Sequence, residues 1–260
     1  MSFSEDWLGL RAGFDTRARS RALEERLATW TSQRVARTGR PLSVVDLGAG
    51  SGNNRRHLHS RLPVEQTWTL ADADAALLEA AQRAAPSVAV QTVDLATDLE
   101  DALPVGTDLV TASALVDLVS AAWLQRLVAR VDTLGAALLV VLTYDGRTRW
   151  EPSEPLDDRI LELVNRHQRS DKGFGPALGP DAAPMLAQLA RQQVVQETSD
   201  WIIEANETAM RQALVDGWAS AALEIAPDES AAIGDWRSRS MDRHARLTVG
   251  HVDQLITPLA

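Results

Sequence analysis

The run Val44-Val45-Asp46-Leu47-Gly48-Ala49-Gly50-Ser51-Gly52-Asn53-Asn54 constrains the fold most. A short apolar stretch leads into an acidic residue and then a turn with glycine at alternate positions, and a helix-like segment from Arg55 to Arg61 follows. Glycine takes positive φ at no steric cost and lets a ligand approach bare backbone. The start of the next helix offers N–H groups that have no partner within the helix. Strand, glycine turn and helix in that order read as a nucleotide-type cofactor site at the C-terminal edge of a parallel sheet.

The surrounding pattern agrees. Strand-like segments at about 42–47, 66–71, 88–93, 108–113 and 137–143 alternate with helix-like ones at about 53–61, 75–85 and 123–134. Such alternation predicts an α/β fold, a doubly wound and mostly parallel sheet with helices on both faces. The Val- and Leu-rich strands suit a sheet buried on both sides. Residues 5–37 read as one helical region, stopped at Gly39-Arg40-Pro41. After Tyr144 come a segment rich in Pro, Gly and charge, a helix at 156–167, strands at 194–203 and 247–256, and helices at 207–224 and 229–243. With no repeat and no low-complexity linker, the expectation is a single domain over residues 1–260. It divides into an N-terminal helical cap (1–40), a cofactor-binding core (41–143), a substrate lid insertion (144–193), and closing strands with inserted helices (194–260).

Composition narrows the function. The formal net charge of -10 disfavours a general nucleic-acid binder, because affinity for the phosphate backbone comes from clustered Lys and Arg. Arg17, Arg19 and Arg21 come nearest to such a cluster, but Glu24 and Glu25 follow them, so they read as a solvated helix face. Without cysteine, thiolate chemistry and Cys-ligated metals drop out, and no paired His/Glu spacing suggests a metal site. No apolar run approaches the roughly 18 residues of a membrane span. Residues 1–6 lack the basic and apolar regions of a secretory signal, so a cytoplasmic location is expected. Of 26 basic residues only Lys172 is lysine, which singles it out.

The turn also discriminates among cofactors. A dinucleotide fingerprint needs its third glycine three places after the second; here Asn53 stands there and Gly52 comes early. A P-loop would need Gly-Lys-Ser/Thr, and a Ser-His-Asp hydrolase a Gly-x-Ser-x-Gly elbow; the chain has neither.

The Asp-x-Gly-x-Gly-x-Gly signature, with acidic residues after the next two strands, resembles the class I S-adenosylmethionine (SAM) dependent methyltransferases. The likeness runs from about Leu42 to Thr143. It implies a seven-stranded, Rossmann-like sheet and SAM as cofactor, with Asp46, Gly48, Ala49, Gly50, Gly52 and Asn53 around the aminoacyl part. Asp72 and Ala73 would lie at the ribose, where a carboxylate accepts both hydroxyls, with Asp74 as competitor. Asp94 and Leu95 would form the adenine corner, and Ser113 would flank the cofactor from the fourth strand. Each acid also has a structural reading as a helix cap or turn residue.

The same likeness places Ala112 to Asp117 beside the methyl group, without the Asn-Pro-Pro-Tyr/Phe motif of many amino-methylating enzymes. Asp117 either orients or deprotonates an acceptor, or caps the next helix. Methyl transfer needs alignment and exclusion of water more than strong acid–base chemistry, which directs attention to a lid over 165–176. There His167 is a candidate base, while Lys172 and Phe174 are candidate substrate contacts, set against a plain surface loop with a helix-ending His. Tyr144, Trp150 and Trp201 are candidate aromatic walls, although the 8 tryptophans outnumber the Phe and Tyr residues and suit a core equally well. Arg11, on the N-terminal helix, is a candidate for the SAM carboxylate. The expected activity is methyl transfer to O or N of a small molecule, with neither a nucleic-acid nor a membrane partner. The alternatives are an NAD(P)-dependent oxidoreductase and a non-catalytic, methyltransferase-like SAM-binding subunit.

Overall fold

A computed structural model describes residues 5–258. Residues 1–4, on which the reading of a missing leader partly rests, and 259–260 lie outside the described residues.

The chain opens with α1 (Glu5–Ala18) and α2 (Arg21–Thr38), then β1 (Leu42–Leu47) and α3 (Asn53–His59). β2 (Gln66–Asp72), α4 (Ala75–Ala84), β3 (Ala89–Thr92), α5 (Leu99–Ala102) and β4 (Leu109–Ser113) follow. α6 (Ala121–Leu134) leads into β5 (Ala137–Glu151), α7 (Asp157–Gln168) and α8 (Ala182–Leu189). β6 (Val194–Thr198), β7 (Trp201–Ile203), α9 (Thr208–Ile225), α10 (Ser230–Asp242) and β8 (Arg246–Ile256) complete it.

The sheet order is β3-β2-β1-β4-β5-β8-β6, with β7 also on β8. β1 to β5 run parallel, and β8 is antiparallel to β5. β6 and β7 pair with successive halves of β8, so they share the last sheet position, interrupted at Ser199 and Asp200. The doubly wound sheet expected from the alternation is present. Side chains alternate across it: Leu42 and Val44 join the core on one face, with Leu23 and Leu27 of α2, while Val45 and Leu47 join the core on the other, with Leu124 and Leu127 of α6.

Three boundaries differ from the sequence reading. The N-terminal helical region is two helices, broken because Ser20 takes an extended conformation and its Oγ accepts the Leu23 N–H as an N-cap. β5 continues beyond Thr143 to Glu151, held by antiparallel pairing with β8, so the segment from Tyr144 begins as sheet and not as lid. α8 was not anticipated.

One carboxylate links the helical cap to the sheet. Asp253 on β8 accepts the Ser20 N–H through Oδ2 at 2.9 Å and the Leu142 N–H through Oδ1 at 2.8 Å. Leu142 sits at φ 56, an uncommon backbone for a γ-branched residue. Its amide leaves the β ladder at the bulge between Val140 and Thr143 and bonds to this buried carboxylate instead. At the opposite edge of the sheet, buried Asp108 accepts from Arg34 at 2.7 Å, Arg40 at 2.7 Å and the Ser43 N–H at 3.0 Å.

Candidate active site

The glycine turn lies at the tips of β1 and β2. Gly48, Gly50 and Gly52 take φ of 63°, 50° and 77°, a region L side chains rarely adopt. Packing adds a second constraint: a Cβ on Gly48 would lie 3.3 Å from Leu115, and one on Gly52 3.3 Å from Ala81. A Cβ on Gly50 would lie 3.4 Å from Leu8 of α1, and Asn53 Nδ2 donates to the Leu8 carbonyl at 3.0 Å. α1 therefore rests directly on the turn.

Asp72, at the end of β2, accepts the Gly50 N–H through Oδ2 at 2.7 Å and the Asp74 N–H through Oδ1 at 2.9 Å. Each carboxylate oxygen has two lone pairs, so both keep one for a further donor, and the half-buried side chain stays accessible. Asp74 caps α4, accepting from Ala76 and Leu77. Asp72 is thus the better placed of the two for a vicinal diol. Asp94 is exposed at the neighbouring strand tip and accepts the Ala96 N–H at 2.9 Å. The acids after β2 and β3 and the accessible oxygens of Asp72 fit a nucleoside. Ala73 is exposed beside Asp72, and Ala49 is buried with its N–H on the Ala71 carbonyl.

Two residues expected at the cofactor are placed otherwise. Asp46 shares the sheet face of Leu42 and Val44 and is completely buried; Asn54 Nδ2 donates to its Oδ1 at 2.7 Å. Burial pushes its carboxyl up to about 7 against the lowering effects of Asn54 and Arg19. It braces the strand beneath α3 rather than facing the crevice. Leu95 packs into the core beside Leu99, while its carbonyl accepts the Trp123 indole N–H at 2.5 Å. Its side chain is therefore not an adenine wall.

Beyond the β4 and β5 tips lies a cavity of about 390 Å³, walled by α1, β5, α7, α9, β7 and β8. Asp117, Tyr144, His167, Lys172 and Trp201, scattered in sequence, all line it. Asp117 is 7% exposed and its Oδ1 has no hydrogen-bond partner. Desolvation raises this carboxyl to about 6, only partly opposed by nearby Arg11. It does not cap α6; Ser120 does, accepting the Trp123 N–H at 3.3 Å. Tyr144 donates its hydroxyl to Asn165 at 2.8 Å, and burial raises its phenol above the ordinary range. His167 Nε2 lies 3.1 Å from Glu224, and Lys172 donates to Ser170 Oγ at 2.8 Å with His167 Nδ1 at 3.4 Å. Both are held by neighbours on the cavity rim.

Phe174 and Trp150 do not reach this cavity. Phe174 packs edge-on against Trp123, ring centroids 5.6 Å apart, because Asp171 Oδ1 accepts from both Gly173 and Gly175 and folds the loop inward. Trp150 lies behind Trp218, with the Arg243 guanidinium 4.5 Å from its ring centroid.

Trp7, His251, Ala114 and Leu142 also line the cavity and were not singled out from sequence. Trp201 lies tilted against His251 at 4.7 Å and edge-on to Trp7 at 6.2 Å, and its indole donates to Asp15 at 3.1 Å. Burial lowers the His251 imidazole to about 3, so it is neutral; Nδ1 donates to the Val249 carbonyl, which leaves Nε2 as an acceptor. Arg11 stands 5.0 Å over Trp201 and is bonded to Asp15, so its guanidinium is already engaged. Ala114 (φ 51) and Leu142 (φ 56) border the cavity with uncommon backbone conformations, a feature that clusters at functional sites. No side-chain periodicity marks these positions; only the phrase Leu142-Thr143-Tyr144 at the end of an apolar strand hinted at the place.

No family model matches the chain, and no curated protein does. Among solved structures, the YcgJ protein from Bacillus subtilis is similar at 15% identity and TM-score 0.48, over 89% of this chain and 100% of that one. The cyclopropane synthase MmaA2 from Mycobacterium tuberculosis is similar at 10% identity and TM-score 0.45, over 82% and 78% of the two chains. The mycolic acid cyclopropane synthase CmaA1, solved with SAH and CTAB, gives 10% identity and TM-score 0.44 over the same shares. The strand order and the reversed β8 define the class: this is the class I methyltransferase fold, a Rossmann-like α/β arrangement. Among the described residues no helix is long and apolar enough to cross a membrane.

Proposed function

We propose that the chain is a SAM-dependent methyltransferase that methylates oxygen or nitrogen of a small, largely apolar molecule. The observation that supports this most is the pairing of the Asp72-pinned glycine turn with an apolar cavity containing an unpartnered buried carboxylate, Asp117. When bound, SAM supplies an electrophilic methyl group. Asp72 would accept its ribose hydroxyls, Asp94 would serve its adenine, and Gly48, Gly50 and Ser113 would border its aminoacyl part.

The protein's remaining work is alignment. Trp7, Tyr144, Trp201 and Leu142 exclude water from the acceptor. Asp117, ionised at neutral pH, would accept a hydrogen bond from an acceptor hydroxyl or amine and so orient the acceptor for transfer. Tyr144 keeps its proton and positions Asn165; His251 serves as a neutral acceptor rather than a base. Incubation with methyl-labelled SAM and a small-metabolite extract tests the reading. Label is expected in an extractable O- or N-methyl product, with the wild-type protein and not with Asp117→Asn. SAM binding without transfer to any extract would favour a non-catalytic binding subunit.

A further inference from the structure

Arg17, Arg19 and Arg21 are not one solvated helix face. Arg19 lies at the break between α1 and α2 and is 7% exposed. It lines two adjoining cavities, of about 300 and 230 Å³, between α1, the start of α2 and α3; both also touch Thr16, His57 and Arg61. Ser113, at the tip of β4, lines the larger one. Arg19 donates through Nη1 to Asn54 Oδ1 at 2.6 Å, while its Nε and Nη2 have no hydrogen-bond partner.

The carboxylates around it are committed elsewhere. Asp15 bonds to Arg11, Asp46 to Asn54, and Asp253 to the Ser20 and Leu142 amides. Glu24 bonds to His57 and Arg61 and comes no nearer to Arg19 than 3.8 Å, too far for a hydrogen bond. In a chain of net charge -10, the two cavities are lined by five arginines and two carboxylates. A buried guanidinium with unused donors needs an acceptor, and its planar fork matches carboxylate or phosphate oxygens.

We propose that this paired cavity is an oxyanion site, with Arg19 as its buried donor and Arg61 on its rim, taking a carboxylate or phosphate group. The oxyanion comes either from the amino-acid end of a nucleoside cofactor reaching past Ser113, or from a separate phosphorylated ligand.

Calorimetric titration at low ionic strength, with inorganic phosphate as probe, tests this without relying on methyl transfer. Phosphate is expected to bind the wild type, about tenfold or more weaker to Arg19→Gln through loss of charge-assisted bonds. For Arg61→Ala, whose side chain is 42% exposed in the native protein, the expected loss is about two- to fivefold. Should Arg19→Gln fail to fold by circular dichroism, Arg61→Ala decides. Competition of phosphate with SAM but not with decarboxylated SAM identifies the cofactor carboxylate as occupant; phosphate binding indifferent to both identifies a separate ligand. SAM binding more tightly than decarboxylated SAM, with the difference reduced in Arg61→Ala, supports the site even if phosphate gives no heat. Phosphate binding unchanged in both variants overturns the proposal. So does a protein that takes no phosphate and does not distinguish SAM from its decarboxylated form, while the methyl-transfer reading would stand on its own label-transfer result.

Discussion

Asp72 Oδ2 accepts the Gly50 N–H at 2.7 Å, so one carboxylate both shapes the glycine turn and faces the crevice beside it. Asp72→Ala is expected to weaken SAM binding by about one to two decades, from loss of charge-assisted hydrogen bonds worth roughly 1.5–3 kcal/mol. Asp72→Asn retains one acceptor oxygen and falls between. Calorimetric Kd values for the three proteins check this; equal affinities in folded variants assign the ribose to another group.

Asp117 makes stability and function oppose one another. Its carboxyl, ordinarily near about 4, is raised to about 6 by burial. The native state therefore holds this proton more tightly than the unfolded chain. The stabilising contribution is full below about 4 and is lost as pH rises through about 6. Asp117→Asn should raise Tm relative to wild type at pH 7–8, and the gap should shrink as pH falls from 6 to 4. Turnover in the wild type should decline as pH falls below about 6, where the carboxylate is protonated. A lower Tm for the variant at every pH contradicts the account of Asp117 as a costly buried charge.

Asp108 tests the fold apart from the site. It is 1% exposed and accepts from two arginines and a backbone amide at the N-terminal edge of the sheet. Asp108→Ala removes the acceptor of Arg34, Arg40 and the Ser43 N–H and, because both guanidinium groups are partly exposed, should cost about 1–3 kcal/mol in urea unfolding. SAM affinity of the remaining folded protein should be unchanged.

Gly250 allows β5 and β8 to cross closely between Val249 and His251, both cavity residues. A Cβ there would lie 2.8 Å from that of Arg147 and would run into the Asp145 carboxylate. Gly250→Ala should destabilise by about 1–3 kcal/mol and weaken acceptor binding more than SAM binding. Equal losses for both ligands in parallel titrations would detach the acceptor from this cavity.

The sequence conveyed what local periodicity and turn chemistry encode. Apolar runs located β1 to β5, and alternating glycines located the crevice, since positive φ at Gly48, Gly50 and Gly52 demands that residue type. Long-range pairing was hidden. Nothing in Asp145-Gly146-Arg147 suggests strand, yet β8 holds β5 together to Glu151. Arg19 looked like its exposed neighbours because the break depends on Ser20 meeting Asp253, which is 233 residues away. Trp150, Trp201 and Phe174 look equivalent in sequence, and only their packing partners separate a cavity wall from two residues packed away from it. Asp117 lay in a segment the family likeness pointed to, but its burial follows from α1, β5 and α7 closing around it.

Side-by-side titration of the purified chain with SAM and with NADH decides which cofactor the glycine turn and Asp72 hold. Saturable binding of SAM, lost or much weakened in Asp72→Ala, is expected, with no binding of NADH. Binding of NADH without SAM, or SAM affinity indifferent to Asp72, would contradict this assignment.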